Sequence, residues 1–270
     1  MAVLHEFSMA RAEARELAAF VRRVGRDELS AVPGAPGGRL SAMPYAALLL
    51  DALLDAFRPS TISISGFGLR EGICLECLPA AVRDEDPLMS TCRGQESARA
   101  RAPGFGADLA RWLLAAVEPR DPEEERLMRA ACHLADVSWR AHPDFRATAC
   151  VETITRVNVS GAGHRGRALI GAMLIARYKS GRKAVHEEPV LGLLAAPDLD
   201  RAIGIGAAMR LGATLAGATP GILVHCPLVR NGTMLRLVPS PAFEPTVGGE
   251  VSKRLGQAAK ALALEWEIAA

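Results

Sequence analysis

Apolar positions recur every three to four residues through much of the chain, and that spacing predicts helices. Ala14, Leu17, Ala18, Val21 and Val24 define an amphipathic helix over residues 13–24 that stops at Gly25. Residues 27–32 read as a short helical turn before the loop Pro33-Gly34-Ala35-Pro36-Gly37-Gly38. A second helix opens at Pro44, whose missing N–H costs nothing in a first turn, and runs to Phe57 before Arg58-Pro59 ends it. At residues 61–65 the period changes to two, as in a half-buried strand, and Gly66-Phe67-Gly68-Leu69-Arg70-Glu71-Gly72 follows directly. Helix, strand and glycines in this order are the pattern of an α/β unit.

The stretch 79–106 is rich in charge, Pro and Gly and reads as a linker with short helical pieces. Asp121 then stands as an N-cap, with Pro122 as first helical residue and Glu124 at capping-box spacing, and Leu127, Ala130, Ala131 and Leu134 continue at helical spacing. Further helices are predicted over residues 164–178, entered through Gly161-Ala162-Gly163 and left at Ser180-Gly181, and over 199–215. Near the end, residues 222–224 and 234–238 flank the turn dipeptide Asn231-Gly232 as a hairpin, and a last helix covers 251–266. The predicted class is α+β and mainly helical: a small α/β piece over residues 1–80, then a helical domain over 81–270 carrying one hairpin.

Composition narrows the functional classes. Half of the 270 residues are apolar and only 4% aromatic, and 32 Lys and Arg face 30 Asp and Glu for a net charge of +2. That balance argues against a non-specific nucleic-acid binder while leaving room for a local basic patch. The richest apolar stretch, residues 46–57, is interrupted by Asp51 and Asp55 and is too short for a bilayer, so no membrane partner is expected. The six cysteines are scattered, which suits a reducing cytoplasm better than a disulfide framework. Cys74 and Cys77 form a lone C-x-x-C inside an apolar segment, read as buried helical packing rather than a zinc or redox site.

Four groups of residues are candidates for chemistry. Gly66 and Gly68 are placed to turn backbone N–H groups toward a phosphate, with Arg70 supplying charge; the alternative is a tight turn with Arg70 and Glu71 paired locally. His133, Asp136, His142 and His164 invite comparison with metal-dependent phosphohydrolases of the HD type, but Ala135 stands where the adjacent His belongs, which makes the ligand set incomplete. Arg140, Arg146, His164, Arg165, Arg167, Arg177, Lys179, Arg182 and Lys183 form a basic set that suits either an extended polyanion or a solvated helix face. The Val32-Pro33-Gly34 turn resembles a helix-hairpin-helix element, but few basic residues flank it. No nucleophile elbow and no P-loop sequence is present.

Residues 63–72, the loop and helix before them, and Asp136-Val137-Ser138-Trp139-Arg140-Ala141-His142-Pro143-Asp144-Phe145-Arg146 together resemble the Ppx/GppA family of exopolyphosphatases and guanosine pentaphosphate phosphohydrolases. The second block is especially similar to alphaproteobacterial members, and residues 163–168 and Thr219-Pro220-Gly221 continue the likeness. The resemblance implies an actin-like α/β part, an HD-like helical domain and a small C-terminal unit. It also implies release of terminal phosphate from polyphosphate or pppGpp with magnesium, and a homodimer. The family's catalytic base and phosphate loops belong to its N-terminal part and have no counterpart here. No catalytic residue and no metal ligand is therefore assigned to this chain, and no magnesium is expected to be held by it alone. Gly66, Gly68, Arg70 and Glu71 are implied to border the phosphate cleft, and Arg140, His142, Arg146, His164, Arg165 and Arg167 to line a polyanion channel. The alternative is a non-enzymatic module that binds polyphosphate or guanosine polyphosphate in regulation.

Overall fold

The structure, a computed structural model, describes residues 3–32, 37–157, 159–179 and 188–269. Its fold is mainly helical with two small sheets, and the chain divides into two compact units, Leu4–Gly66 and the residues from Phe67 onward. The Pro33-Gly34 turn and the positions of Ser180, Gly181, Arg182 and Lys183 lie outside the described residues.

The smaller unit opens with strand β1 (Ser8–Ala10) and helix α1 (Arg11–Arg23), whose first turn is fastened by the Glu13 carboxylate accepting the Ala10 N–H at 2.7 Å. The short α2 (Arg26–Ser30) and the longer α3 (Met43–Phe57) follow, and Arg58 ends α3 in the left-handed region at φ 46°. Strand β2 (Thr61–Ser63) returns antiparallel to β1, with Met9 opposite Ile62. Ala18, Val21, Leu29, Leu40 and Ala47 make its small core.

The larger unit begins with α4 (Leu69–Glu76) and α5 (Ala80–Arg83), which bury no side chain. Cys74 and Cys77 are exposed, so the expected burial of that pair does not hold; its segment is helical but lies on the surface. The linker expected over 79–106 is also corrected. Asp86 caps a 13-residue helix α6 (Pro87–Arg99), and Gly104, at φ 99°, opens α7 (Phe105–Leu114). Both pack into the main core, α6 through Leu88, Cys92 and Glu96.

Helix α8 (Pro122–Leu134) starts as predicted, the Asp121 carboxylate accepting the Glu124 N–H at 2.7 Å. α9 (Arg146–Thr155) leads to α10 (His164–Tyr178), buried almost all round from Ala168 to Ala176. The long α11 (Ala196–Ala216), ended by Gly217 in the left-handed region, crosses α10 at Gly206. A Cβ there would stand 2.3 Å from the Met173 carbonyl oxygen and 2.6 Å from Ala176 Cβ, so only glycine permits the approach. Beyond α11 the hairpin is present with its first arm shifted: β3 (Leu228–Asn231) pairs antiparallel with β4 (Met234–Leu237), while Leu223–His225 is a 3₁₀ turn. The final helix, α12 (Gly249–Ala261), is shorter than expected. The chain then turns into β5 (Glu265–Ile268), which lies parallel to β4. Leu262 and Ala261 lie against Gly204, so α12 also packs along α11.

Candidate functional site

A cationic face of the larger unit is built around the turn that follows α8. Ser138 Oγ donates to the Arg146 carbonyl at 2.9 Å, and Tyr178 Oη donates to the Ala135 carbonyl at 2.8 Å. These bonds fix residues 135–141 between α8, α9 and the end of α10. Trp139 is pinned by its indole N–H on the Arg99 carbonyl at 3.0 Å. The Arg140 and Arg101 guanidinium carbons stand 5.1 and 5.8 Å from its ring centroid, within cation–π range.

Asp136 is buried beneath this turn. One of its oxygens receives Arg101 Nη2 at 3.0 Å and lies 4.0 Å from Arg177 Nη2. One carboxylate therefore faces two guanidiniums, and Arg140, exposed beside them, has no ion-pair partner among the described residues. The excess positive charge continues past Arg177. On α11 Arg210 has neither an ion pair nor a hydrogen bond among the described residues. Burial, and after it the charges of Arg254 and Arg177, hold its guanidinium below its ordinary value.

The residues singled out from the sequence do not all meet there. Arg140 lies on this face, and Arg146 supports it by donating Nε to the Ala141 carbonyl at 3.1 Å. His142 is exposed in the same loop, where its Nδ1 accepts the Asp144 N–H at 3.4 Å. His164 opens α10. Arg165 belongs to another network, its Nη2 donating to Asp198 at 2.6 Å alongside Arg120, Arg201 and Glu124.

Arg167 is 0% exposed, and its guanidinium donates to the carbonyls of Ala162, Ile154, Val157 and Val159 at 2.5–3.3 Å. That arrangement ties the loop before α10 to α9 and presents no charge to a solute, which corrects its reading as a channel-lining group. The glycine run divides between the two units. In the smaller, Gly66 N–H donates to His5 Nδ1 at 2.9 Å; in the larger, Gly68 N–H donates to the Glu71 carboxylate at 2.7 Å. Both amides thus have internal acceptors, and Glu71 serves as helix cap rather than as a partner of Arg70, which is exposed.

The donors compared with an HD metal centre are also engaged elsewhere. His133 Nδ1 lies 2.5 Å from Glu96 Oε2, while the other Glu96 oxygen accepts the Gly104 and Gly106 N–H groups and caps α7. Asp136 is held by Arg101. Among the described residues no group of three or more His, Cys, Asp or Glu side chains is placed to hold a metal ion, so this donor set does not fit a magnesium site. No helix among them is long and apolar enough to cross a membrane.

Sequence reasoning missed Arg101, Arg210 and Arg254. For Arg210 a signal existed: it is the sole charged residue between Ala202 and Thr219, an otherwise small and apolar helix.

Comparison with known proteins gives two findings. Residues 91–267 match the family model described as exopolyphosphatase, C-terminal. Retrograde regulation protein 2 of Saccharomyces cerevisiae is 29% identical over 147 residues, covering 52% of this chain and 24% of that protein. The chain thus spans about a quarter of the length of this curated relative.

Proposed function

We propose that this chain, which belongs to the exopolyphosphatase C-terminal family, holds an extended polyphosphate along the face formed by Arg101, Trp139, Arg140 and Arg177. One observation carries the reading: Arg101 and Arg177 share one buried carboxylate, Asp136, while Arg140 beside them has no ion-pair partner among the described residues, so the face keeps an excess of positive charge. Several arginines spaced along a surface suit a polymer that carries a negative charge on every unit, since each contact is modest and the sum is large. The fixed turn beneath Trp139 orients two of them without further ordering on binding.

The finer parts of the reading rest on family membership. They are an actin-like α/β piece before an HD-like helical domain, hydrolysis of terminal phosphate from polyphosphate or pppGpp by a complete magnesium-dependent enzyme, and pairing into a homodimer. In that enzyme this chain contributes substrate binding. A water-activating base and a phosphate cradle are a separate requirement, which the cationic face does not meet. A second reading is favoured by the name of the yeast relative, a retrograde regulation protein: a non-enzymatic module that senses polyphosphate or guanosine polyphosphate.

Titration of labelled long-chain polyphosphate against the chain tests the shared core of both readings. Binding that weakens with salt, and falls about tenfold or more in Arg101→Gln/Arg140→Gln, supports it. Equal affinity in that variant and the parent chain removes its basis. Phosphate release from polyphosphate or pppGpp then separates enzyme from sensor.

A further inference from the structure

Three arginines from three helices converge beyond the end of that face. Arg177 lies in the last turn of α10, Arg210 in the middle of α11 and Arg254 in α12. The convergence follows from the helix crossings. Gly206 seats α11 against Met173 and Ala176, which brings Arg210, one turn further on, beside Arg177. Gly204 seats the same helix against Ala261 and Leu262, so α12 packs along it and brings Arg254 close enough to Arg210 for their charges to act on each other.

Each of the three has a buried nitrogen without a hydrogen-bond partner among the described residues: Arg177 Nε, Arg210 Nη1 and Arg254 Nε. Buried donors are nearly always satisfied in folded proteins, and three unsatisfied cationic ones in one place are costly. Two carboxylates are near. Glu250 is ion-paired to Arg254 and Lys253, and Asp136 is held mainly by Arg101. Gln257 accepts from Arg254 Nη1 at 2.9 Å and adds no charge. Arg210 feels the like charges of Arg254 and Arg177 ahead of the opposing charge of Glu250, and it is partly exposed and therefore reachable.

We propose that Arg177, Arg210 and Arg254 bind one compact phosphate dianion, either free orthophosphate or the terminal group of a phosphate chain. Three guanidiniums from helices that pack on one another concentrate positive charge in a small region, which suits a compact dianion rather than a passing stretch of polymer. The bound anion offsets the repulsion among the three guanidiniums, so it stabilises the fold as well as filling the site.

The test uses the 270-residue chain, its Arg210→Met variant, which keeps the apolar stem without the charge, and Arg210→Lys. Melting temperature is followed against inorganic phosphate and against tripolyphosphate, with sodium chloride at matched ionic strength as control. The parent chain is expected to rise saturably with phosphate or tripolyphosphate beyond the chloride control. Arg210→Met is expected to melt higher than the parent without ligand and to lose the response, and Arg210→Lys to need about tenfold or more anion. Response to inorganic phosphate identifies the free ion as ligand, and response to tripolyphosphate alone identifies a chain terminus. No response beyond chloride, an undiminished response in Arg210→Met, or an Arg210→Met chain less stable than the parent overturns the proposal. Absence of long-chain polyphosphate binding by the parent chain, with this response intact, sinks the proposed function and leaves the phosphate site standing.

Discussion

Replacing Arg167 with methionine removes a buried guanidinium while keeping most of the side-chain volume. The buried carbonyls of Ala162, Ile154 and Val159 then lose this donor, while that of Val157, part-buried, keeps the Val159 N–H. Each buried acceptor left unpaired costs about 1–3 kcal/mol. Relief from burying a charge offsets part of this, so the net loss is about 3–5 kcal/mol. A loss of that size is a large fraction of the roughly 5–15 kcal/mol that holds a folded domain together. It lowers the melting temperature by roughly 10 °C. Urea unfolding of the two chains measures the difference, and polyphosphate titration below the transition shows whether the folded variant still binds. The expected result is a large stability loss with nearly parental affinity. Arg167→Met with parental stability and lost affinity would refute the structural role argued for this residue.

Two further perturbations follow from the helix packing and the buried carboxylate. Gly206→Ala improves helix propensity by about 1 kcal/mol, but its Cβ meets the Met173 carbonyl and forces α10 and α11 apart. A net destabilisation of about 2 kcal/mol, read by thermal unfolding, is expected, together with a weaker anion response at Arg210. Burial pushes the Glu96 carboxyl up, but His133 and the Gly106 and Gly104 amides outweigh it and hold it below its ordinary 4.5. Its contribution to stability is therefore present above pH 4.5 and lost as the pH falls through the lower folded value. Glu96→Gln should flatten the acid limb of a stability–pH curve; an unchanged limb contradicts the pairing with His133.

Much of the helical framework was legible because its buried stripes are apolar and regularly spaced. Leu127, Ala130, Ala131 and Leu134 are all buried on α8, and Asp121 caps it as its spacing suggests. Helix α6 was not legible: its buried stripe is Leu88, Cys92 and Glu96, and a carboxylate in the third place disguises the period. Glu96 is buried because it caps α7 and meets His133, contacts that no local pattern announces. The expected helix over 251–266 runs into Glu265 and Trp266, the first two residues of β5, because no Gly or Pro separates them from α12; they are strand only through pairing with β4.

The candidate site was legible as a composition of arginines and not as an arrangement of them. Arg140 and Arg167 look alike in sequence, yet one is exposed over an indole and the other is enclosed by carbonyls. The nine residues from Ala168 to Ala176, without a charge among them, mark α10 as enclosed and place Arg167 at the edge of the core. Arg101 reaches the basic face, and Arg254 the cluster beyond its end, through tertiary packing alone, so spacing offers no hint of them.

Diffraction from crystals of the chain soaked with tripolyphosphate shows directly whether a phosphate chain lies on the Trp139 face. The expected result is phosphate density along Arg101, Arg140 and Arg177, ending against Arg210. Density confined to the Arg120, Arg165 and Arg201 network, with the Trp139 face bare, contradicts it.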